Sequence, residues 1–320
     1  MSRSINAALV HTLGEAPRYA QTLLKGPLED QVQVKVLATG LHQLVRSRAS
    51  GKHYSSGGTL PLIPGVDGVG TLPSGEKVYF AAFGPGSGSF AEYVNVNKKE
   101  YIPIPQDADP ATIAALVNPA MSSWLALNCR AQLKPGFSVL ILGVTGASGK
   151  LAIQVARCLG ASRIVGLGRN QETLEALRSS GLDATVALTD DINATKASIA
   201  KEAANVDIVL DYLWGPPAQY TMEAILAHRT EADQRLDWVQ IGNMAGPSMQ
   251  LPAKLLRSSN FVVSGSGIGS VSLPDMLKEI SKLVVELSTG RLTHPVSRHQ
   301  LSDIEKVWNA KEADRVVFLP

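Results

Sequence analysis

What this 320-residue chain lacks narrows it first. It has two cysteines, Cys129 and Cys158, too few for a disulfide scaffold or a four-cysteine zinc lobe, and that scarcity suits a reducing, cytoplasmic compartment. No lysine–arginine cluster appears and the formal net charge is only +2, so there is no basic field of the kind nucleic acid requires. No apolar run approaches the roughly 20 residues of a membrane span, and the start, Met1-Ser2-Arg3-Ser4-Ile5-Asn6, leads into no apolar signal core. Repeats and low-complexity segments are missing too. The expectation is a cytoplasmic protein with neither nucleic-acid nor membrane partners. What is present, 45% hydrophobic and 18% charged residues, suits a globular protein with real cores, and the length fits two domains.

Residues 1 to about 118 read as mostly β. Val32, Val34 and Val36 alternate with Gln31, Gln33 and Lys35, the period of a half-buried strand. Turn-formers recur at Ser55-Ser56-Gly57-Gly58, Pro64-Gly65, Pro73-Ser74-Gly75 and Gly84-Pro85-Gly86-Ser87-Gly88, which points to short strands in a compact barrel. From about 119 the rhythm changes. Strand-like runs at 139–142, 163–167, 206–210, 236–241 and 260–264 alternate with helical stretches at 148–159, 171–179 and 217–228. That alternation predicts parallel β-α units and a doubly wound sheet. Leu151, Val155 and Leu159 give the first of these helices an apolar stripe. Leu277, Ile280, Val284 and Leu287 form another, with Gly290 as its stop. The tail Val316-Val317-Phe318-Leu319 reads as a last strand returning to the first domain.

The strongest local signal is Val139-Leu140-Ile141-Leu142-Gly143-Val144-Thr145-Gly146-Ala147-Ser148-Gly149. An apolar strand, a glycine turn and an immediate helix form a unit whose backbone N–H groups bind a dinucleotide pyrophosphate. Thr145, Gly146, Ala147, Ser148 and Gly149 are the candidate contacts. Twenty residues on, the next strand ends in Gly168-Arg169-Asn170 with no acid. An acid there would hold the ribose 2′-hydroxyl of NAD, whereas an arginine accommodates the 2′-phosphate of NADP. Arg169 and Asn170 therefore predict NADPH, the alternative being a surface arginine that touches nothing. A P-loop is excluded by Val144 and Leu151, where it needs a glycine and a Ser or Thr. A short-chain dehydrogenase would carry the turn at its N-terminus with a Tyr-x-x-x-Lys pair, and no tyrosine here has lysine four places on. A glycine turn that merely joins strand to helix remains the bland reading.

Further motifs run nearly end to end: Leu60-Pro61-Leu62-Ile63-Pro64-Gly65-Val66-Asp67-Gly68-Val69-Gly70, Gly88-Ser89-Phe90-Ala91-Glu92-Tyr93-Val94, and Ser264-Gly265-Ser266-Gly267. With the glycine turn, they make the chain resemble the medium-chain dehydrogenase/reductase superfamily, in its zinc-independent quinone oxidoreductase-like branch. The resemblance implies an α/β fold: a GroES-like β domain over 1–118 and 271–320, and a doubly wound Rossmann domain binding NADP(H) over 119–270. The site is then expected in the cleft between them. Zinc alcohol dehydrogenases of the superfamily use a cysteine and a Gly-His-Glu as ligands. Here the two regions read Ala38-Thr39-Gly40-Leu41-His42-Gln43 and Gly65-Val66-Asp67, and His42, His53 and Asp67 do not stand at ligand spacing, so no metal is expected.

The resemblance also implies a proton donor. Ser50-Gly51-Lys52-His53-Tyr54 resembles, with one residue inserted, the segment that carries the donating tyrosine in related enoyl reductases. Tyr54 is the catalytic candidate, the alternative being that it only packs or positions substrate. His42 stands where the family often has asparagine; it is a second proton source or, preferably, a satisfied structural residue. Ser122, in Val117-Asn118-Pro119-Ala120-Met121-Ser122-Ser123-Trp124, falls where a threonine touches the nicotinamide, unless it is a helix cap. Gly242-Asn243 and Gly265-Ser266 match backbone passing the nicotinamide side, though the latter also reads as a bend at a subunit edge. A homodimer is the family expectation.

The leading expectation is an NADPH-dependent reductase that passes hydride to a quinone or an α,β-unsaturated carbonyl, a small electrophile. An enoyl-thioester reductase is the alternative within enzymes, and a non-catalytic NADPH-binding regulatory protein the alternative outside them. If Tyr54 donates the proton, Tyr54→Phe lowers enone turnover and leaves NADPH affinity alone; unchanged steady-state turnover removes the assignment.

Overall fold

The computed structural model describes residues 2–53, 56, 59–82 and 88–320. The chain divides into two compact units, Met1–Asn118 with Ile280–Pro320, and Pro119–Glu279.

The first unit opens with β1 (Arg3–Leu9), antiparallel to β2 (Arg18–Leu24). Then come β3 (Gln31–Gly40), α1 (Gln43–Ala49), β4 (Asp67–Thr71), β5 (Lys77–Ala81), β6 (Tyr93–Asn97) and β7 (Tyr101–Pro103). Along β3, Val34 and Val36 are buried while Lys35 is exposed, as the alternation predicts. They pack with Val78 and Phe80 of β5 and Val94 and Val96 of β6. Gly70 of β4 lies so close to β3 that an added Cβ would collide with the Val34 side chain, which explains a glycine inside a strand.

From this unit α2 (Pro110–Leu125) runs into the second, with Pro119 inside it, and continues as a π turn over Ala126–Arg130. Next follow β8 (Ser138–Leu142), α3 (Ala147–Cys158), β9 (Arg163–Gly168), α4 (Gln171–Arg178), β10 (Ala184–Ala187) and α5 (Ile192–Ala203). The unit continues through β11 (Ile208–Asp211), α6 (Gly215–His228), β12 (Leu236–Gln240), α7 (Ala253–Arg257) and β13 (Phe261–Gly265) to α8 (Leu273–Ser288). Its strands are all parallel, in the order β10-β9-β8-β11-β12-β13. Counted from β8 this is 3-2-1-4-5-6, the doubly wound order of dinucleotide-binding sheets. The strands read as short apolar runs because both faces are covered: Leu140, Leu142, Val165, Leu167 and Trp238 are buried in one core.

Beyond α8 the chain returns to the first unit as β14 (Val296–Gln300), α9 (Ile304–Val307) and β15 (Arg315–Leu319). The tail pairs antiparallel with β3, Phe318 opposite Thr39. Phe318 is buried beside Phe90, ring centroids 5.5 Å apart. The unit boundary falls inside α8, nine residues later than the 270/271 expected from the sequence. The reason is a long-range contact: Trp124 Nε1 donates to Glu279 Oε2 at 3.0 Å, which holds the first turns of α8 to the second unit. Gly290, with φ +74°, follows the end of α8.

Candidate functional site

In the parallel sheet the chain leaves β8 for β9 and β10, then returns to β11 on the other side of β8. Beyond the carboxyl ends of β8 and β11 the connections diverge to opposite faces and open a crevice, where ligands of such sheets bind. The glycine turn occupies one wall, and its three glycines have three different causes. Gly143 adopts φ +86°, a left-handed conformation that lets the strand turn at once. Gly149 is packed against that turn: a Cβ would lie 2.5 Å from Gly143 O and 2.6 Å from Val144 Cα. Gly146 is needed by neither constraint. It is exposed, has φ −77°, and a Cβ there would meet nothing nearer than Gly143 O at 3.5 Å. Gly146 caps α3, and the N–H groups of Ala147, Ser148 and Gly149 open the helix with no carbonyl partner inside it. Free N–H groups at the positive end of a 12-residue helix, with no side chain in front of them, form an anion cradle.

Arg169 follows the end of β9, exposed, with no carboxylate partner among the described residues. Gly168 packs on the glycine turn, since a Cβ there would come 2.8 Å from Thr145 Cγ2. Arg169, the next residue, carries a guanidinium able to bind a second anionic group. Asn170 has a structural role, because its side-chain oxygen accepts from Thr173 N at 2.8 Å and caps α4.

The other wall is the connection after β11. Asp211 is buried; its Oδ1 accepts from Leu213 N at 2.9 Å and Trp214 N at 2.8 Å, and its Oδ2 from Trp238 Nε1 at 3.0 Å. Burial raises its carboxyl above the ordinary value, and those hydrogen bonds offset the rise only in part. Trp214 is held at φ +53°, ψ −162°, a region almost confined to glycine and stabilised only by surrounding constraint. Between them Tyr212 sets its hydroxyl 2.9 Å from Ser122 Oγ. Ser122 is therefore brought to the crevice through a residue that no sequence motif singles out. A buried acid ending an apolar run, Ile208-Val209-Leu210-Asp211, is the available signal.

Gly242 and Asn243 follow β12, and Gly265 and Ser266 end or follow β13, all at the same sheet edge. Gly242 passes close to Tyr212, where a Cβ would lie 2.7 Å from the carbonyl oxygen. Its N–H bonds Asp211 O at 3.1 Å and its carbonyl accepts from Gln240 Nε2 at 2.9 Å. Arg130 Nε donates to Gly265 O at 2.8 Å, and Ser266 N to Gln240 O at 2.8 Å.

His42 belongs to the first unit. It is buried at the entrance to α1, its Nδ1 2.6 Å from an Arg315 guanidinium nitrogen and its Nε2 3.0 Å from Asp67 Oδ1. A guanidinium only donates, so Nδ1 accepts and the ring carries its proton on Nε2, donated to Asp67. The Tyr79 hydroxyl donates to Asp67 Oδ2 at 2.7 Å. Burial, then the Asp67 charge, push that phenol well above its ordinary value. Both nitrogens of His42 are engaged, the geometry of a satisfied buried histidine. Tyr54 lies outside the described residues. Among the described residues no three His, Cys, Asp or Glu side chains converge as a metal would require.

Comparison with known proteins matches residues 147–286 to the family model described as zinc-binding dehydrogenase. The Emericella nidulans protein named "Probable NADPH-dependent quinone reductase" is 32% identical, covering 99% of this chain and 100% of its own. The chloroplastic NADPH-dependent alkenal/one oxidoreductase of Arabidopsis thaliana is also 32% identical, over 57% of this chain and 50% of its own. A mycobacterial quinone oxidoreductase shares the fold with a TM-score of 0.84 at 19% identity, covering 99% of this chain and 100% of that one. The zinc in the family description does not fit this donor set. The match excludes His42 and Asp67, and a cation at His42 would have to displace the Arg315 guanidinium from Nδ1.

The separate causes of the glycines predict separate phenotypes. Gly149→Ala overpacks the turn and destabilises the protein by about 1–3 kcal/mol. Gly146→Ala leaves stability within about 0.5 kcal/mol, while weakening NADPH roughly tenfold or more by blocking close approach. Thermal denaturation and NADPH titration of both variants check this; unaltered NADPH affinity in Gly146→Ala removes the cradle.

Proposed function

Because the chain belongs to the medium-chain dehydrogenase/reductase superfamily, in its quinone oxidoreductase-like branch, we propose that it is an NADPH-dependent reductase of quinones or α,β-unsaturated carbonyls. One observation carries this reading: α3 opens with N–H groups that no side chain caps, and the exposed Arg169 follows the neighbouring strand β9. That arrangement suits a pyrophosphate and a 2′-phosphate together. The end-to-end relative named as an NADPH-dependent quinone reductase supports the same cofactor and acceptor.

In this reading the N–H groups of Ala147, Ser148 and Gly149 hold the pyrophosphate, with Thr145 and Gly146 lining its approach. Arg169 pairs with the 2′-phosphate, and Asn170 fixes the start of α4 beside it. Ser122, Gly242, Asn243, Gly265 and Ser266 border the nicotinamide end, beyond the remaining strands. NADPH, when bound, supplies the hydride. The chain itself then holds the acceptor and lets a proton reach the developing enolate or quinol oxygen, from Tyr54 or from water. His42 positions rather than protonates, because its ring proton is committed to Asp67. Zinc has no part in the reaction, on the chemistry of the donor set.

A homodimer and a cytoplasmic location belong to the same proposal. β13 pairs on one side only among the described residues, an open edge of the kind that a second copy covers. The chain has only two cysteines, Cys129 and Cys158, a scarcity that suits a reducing compartment.

The test is NADPH oxidation, followed by its absorbance, with a panel of quinones, enones and crotonyl thioesters. Turnover of quinones or enones is expected; tight NADPH binding with no acceptor reduced refutes the reductase. Arg169→Ala is expected to weaken NADPH by roughly 10- to 100-fold, the strength of a charge-assisted contact, and to leave NADH almost unaffected. Equal loss for both cofactors would overturn the 2′-phosphate role.

A further inference from the structure

Tyr212 is used by none of the steps above, yet it stands at the centre of the crevice. Its carbonyl is approached by Gly242, and its Cβ would lie 3.4 Å from a Cβ placed on Gly143. The segment cannot swing, because the Asp211 carboxylate holds the next two backbone N–H groups, those of Leu213 and Trp214. The hydroxyl is thereby delivered to Ser122.

Proton counting on this pair decides what it can bind. Ser122 has one hydroxyl proton, and it is donated to Pro119 O at 2.7 Å, a carbonyl that can only accept. At 2.9 Å, therefore, Tyr212 is the donor and Ser122 the acceptor. Burial pushes the Tyr212 phenol up to about 12. The phenol keeps its proton throughout the physiological range, and the polarity of the pair is fixed. Both protons are engaged, so only lone pairs remain for a ligand.

We propose that Tyr212 is a positioning residue that makes Ser122 a pure acceptor, and that the pair selects the amino group of the nicotinamide carboxamide. The carboxamide nitrogen only donates, so it matches a surface that only accepts. This inference rests on the NADPH reading above. In that reading Ser122 borders the nicotinamide, and its unpinned hydroxyl would otherwise turn to either end of the carboxamide.

The probe is the reduced 3-acetylpyridine analogue of NADPH, in which a methyl group replaces the amino group and the carbonyl is kept. Wild-type protein is expected to bind NADPH roughly tenfold more tightly than the analogue, the worth of one hydrogen bond to a half-buried acceptor. Tyr212→Phe brings the two affinities together and leaves the preference for NADPH over NADH intact. Ser122→Ala does the same while retaining Tyr212, and the double variant loses nothing further, as expected for one coupled unit. An unchanged NADPH-to-analogue ratio in Tyr212→Phe overturns the inference, as does a wild type that does not distinguish the two. Equal weakening of both, together with a lowered Tm, assigns Tyr212 a structural role and also overturns it. Wild-type protein that binds no NADPH at all instead brings down the cofactor reading itself.

Discussion

The buried carboxylate of Asp211 organises the crevice. A carboxyl group out of water is costly unless its oxygens are hydrogen-bonded, and here each has protein donors: two backbone N–H groups on one oxygen and the Trp238 indole on the other. Its main-chain carbonyl also accepts from Ile241 N and Gly242 N. One residue thus ties its own loop to the strand beside it and to the connection beyond that strand. The unusual backbone of Trp214 follows, because the chain must fold back onto the carboxylate within three residues. Gly215, with φ +62° and a would-be Cβ 2.8 Å from Ala245 O, completes the reversal. Tyr212 is left with one direction to face.

Two helix N-termini flank the crevice between β8 and β11, those of α3 and α6, and the chain makes them chemically unequal. α3 begins Ala147-Ser148-Gly149 with every N–H available. α6 begins Gly215-Pro216-Pro217, so two of its first-turn donors do not exist. Prolines suit a first turn sterically, but they deprive the helix of the groups that bind an anion. Both helices carry the same sign of dipole; only α3 can convert it into hydrogen bonds. In the proposed reading the pyrophosphate therefore lies on the α3 side of the crevice.

How much of this is legible in the sequence depends on whether a residue acts locally. The glycine turn is legible because turn, close approach and helix packing all act within seven residues of chain, Gly143–Gly149. The strands with strong apolar runs are legible for the same reason. β10 and α5 are not: Ala184-Thr185-Val186-Ala187 is short and weakly apolar, and the buried face of α5 is Thr195, Ile199 and Ala203, a stripe with a single large side chain. Asn170 reads in the sequence as a cofactor contact, although its cap on α4 is the kind of short-range bond that local spacing can reveal. Tyr212 is out of reach, because its partner Ser122 is ninety residues away and only the folded sheet brings them together. The second boundary is hidden for the same reason, since Trp124 and Glu279 are farther apart still.

His42 shows why residue type alone misleads about proton chemistry. An imidazole near a carboxylate is the usual mark of an acid–base pair. What decides its use is the second nitrogen. Here Arg315, which cannot accept a proton or give one up in water, sits on Nδ1 and fixes the tautomer. Asp67 takes the proton on Nε2 and is itself held by Tyr79. To protonate a substrate, the imidazole would have to abandon Asp67, leaving a buried carboxylate short of a donor, a penalty of about 1–3 kcal/mol before any chemistry begins. To receive a metal, it would have to expel a guanidinium. The cluster therefore acts as a rigid support at the head of α1, the helix that leads directly into the segment bearing Tyr54.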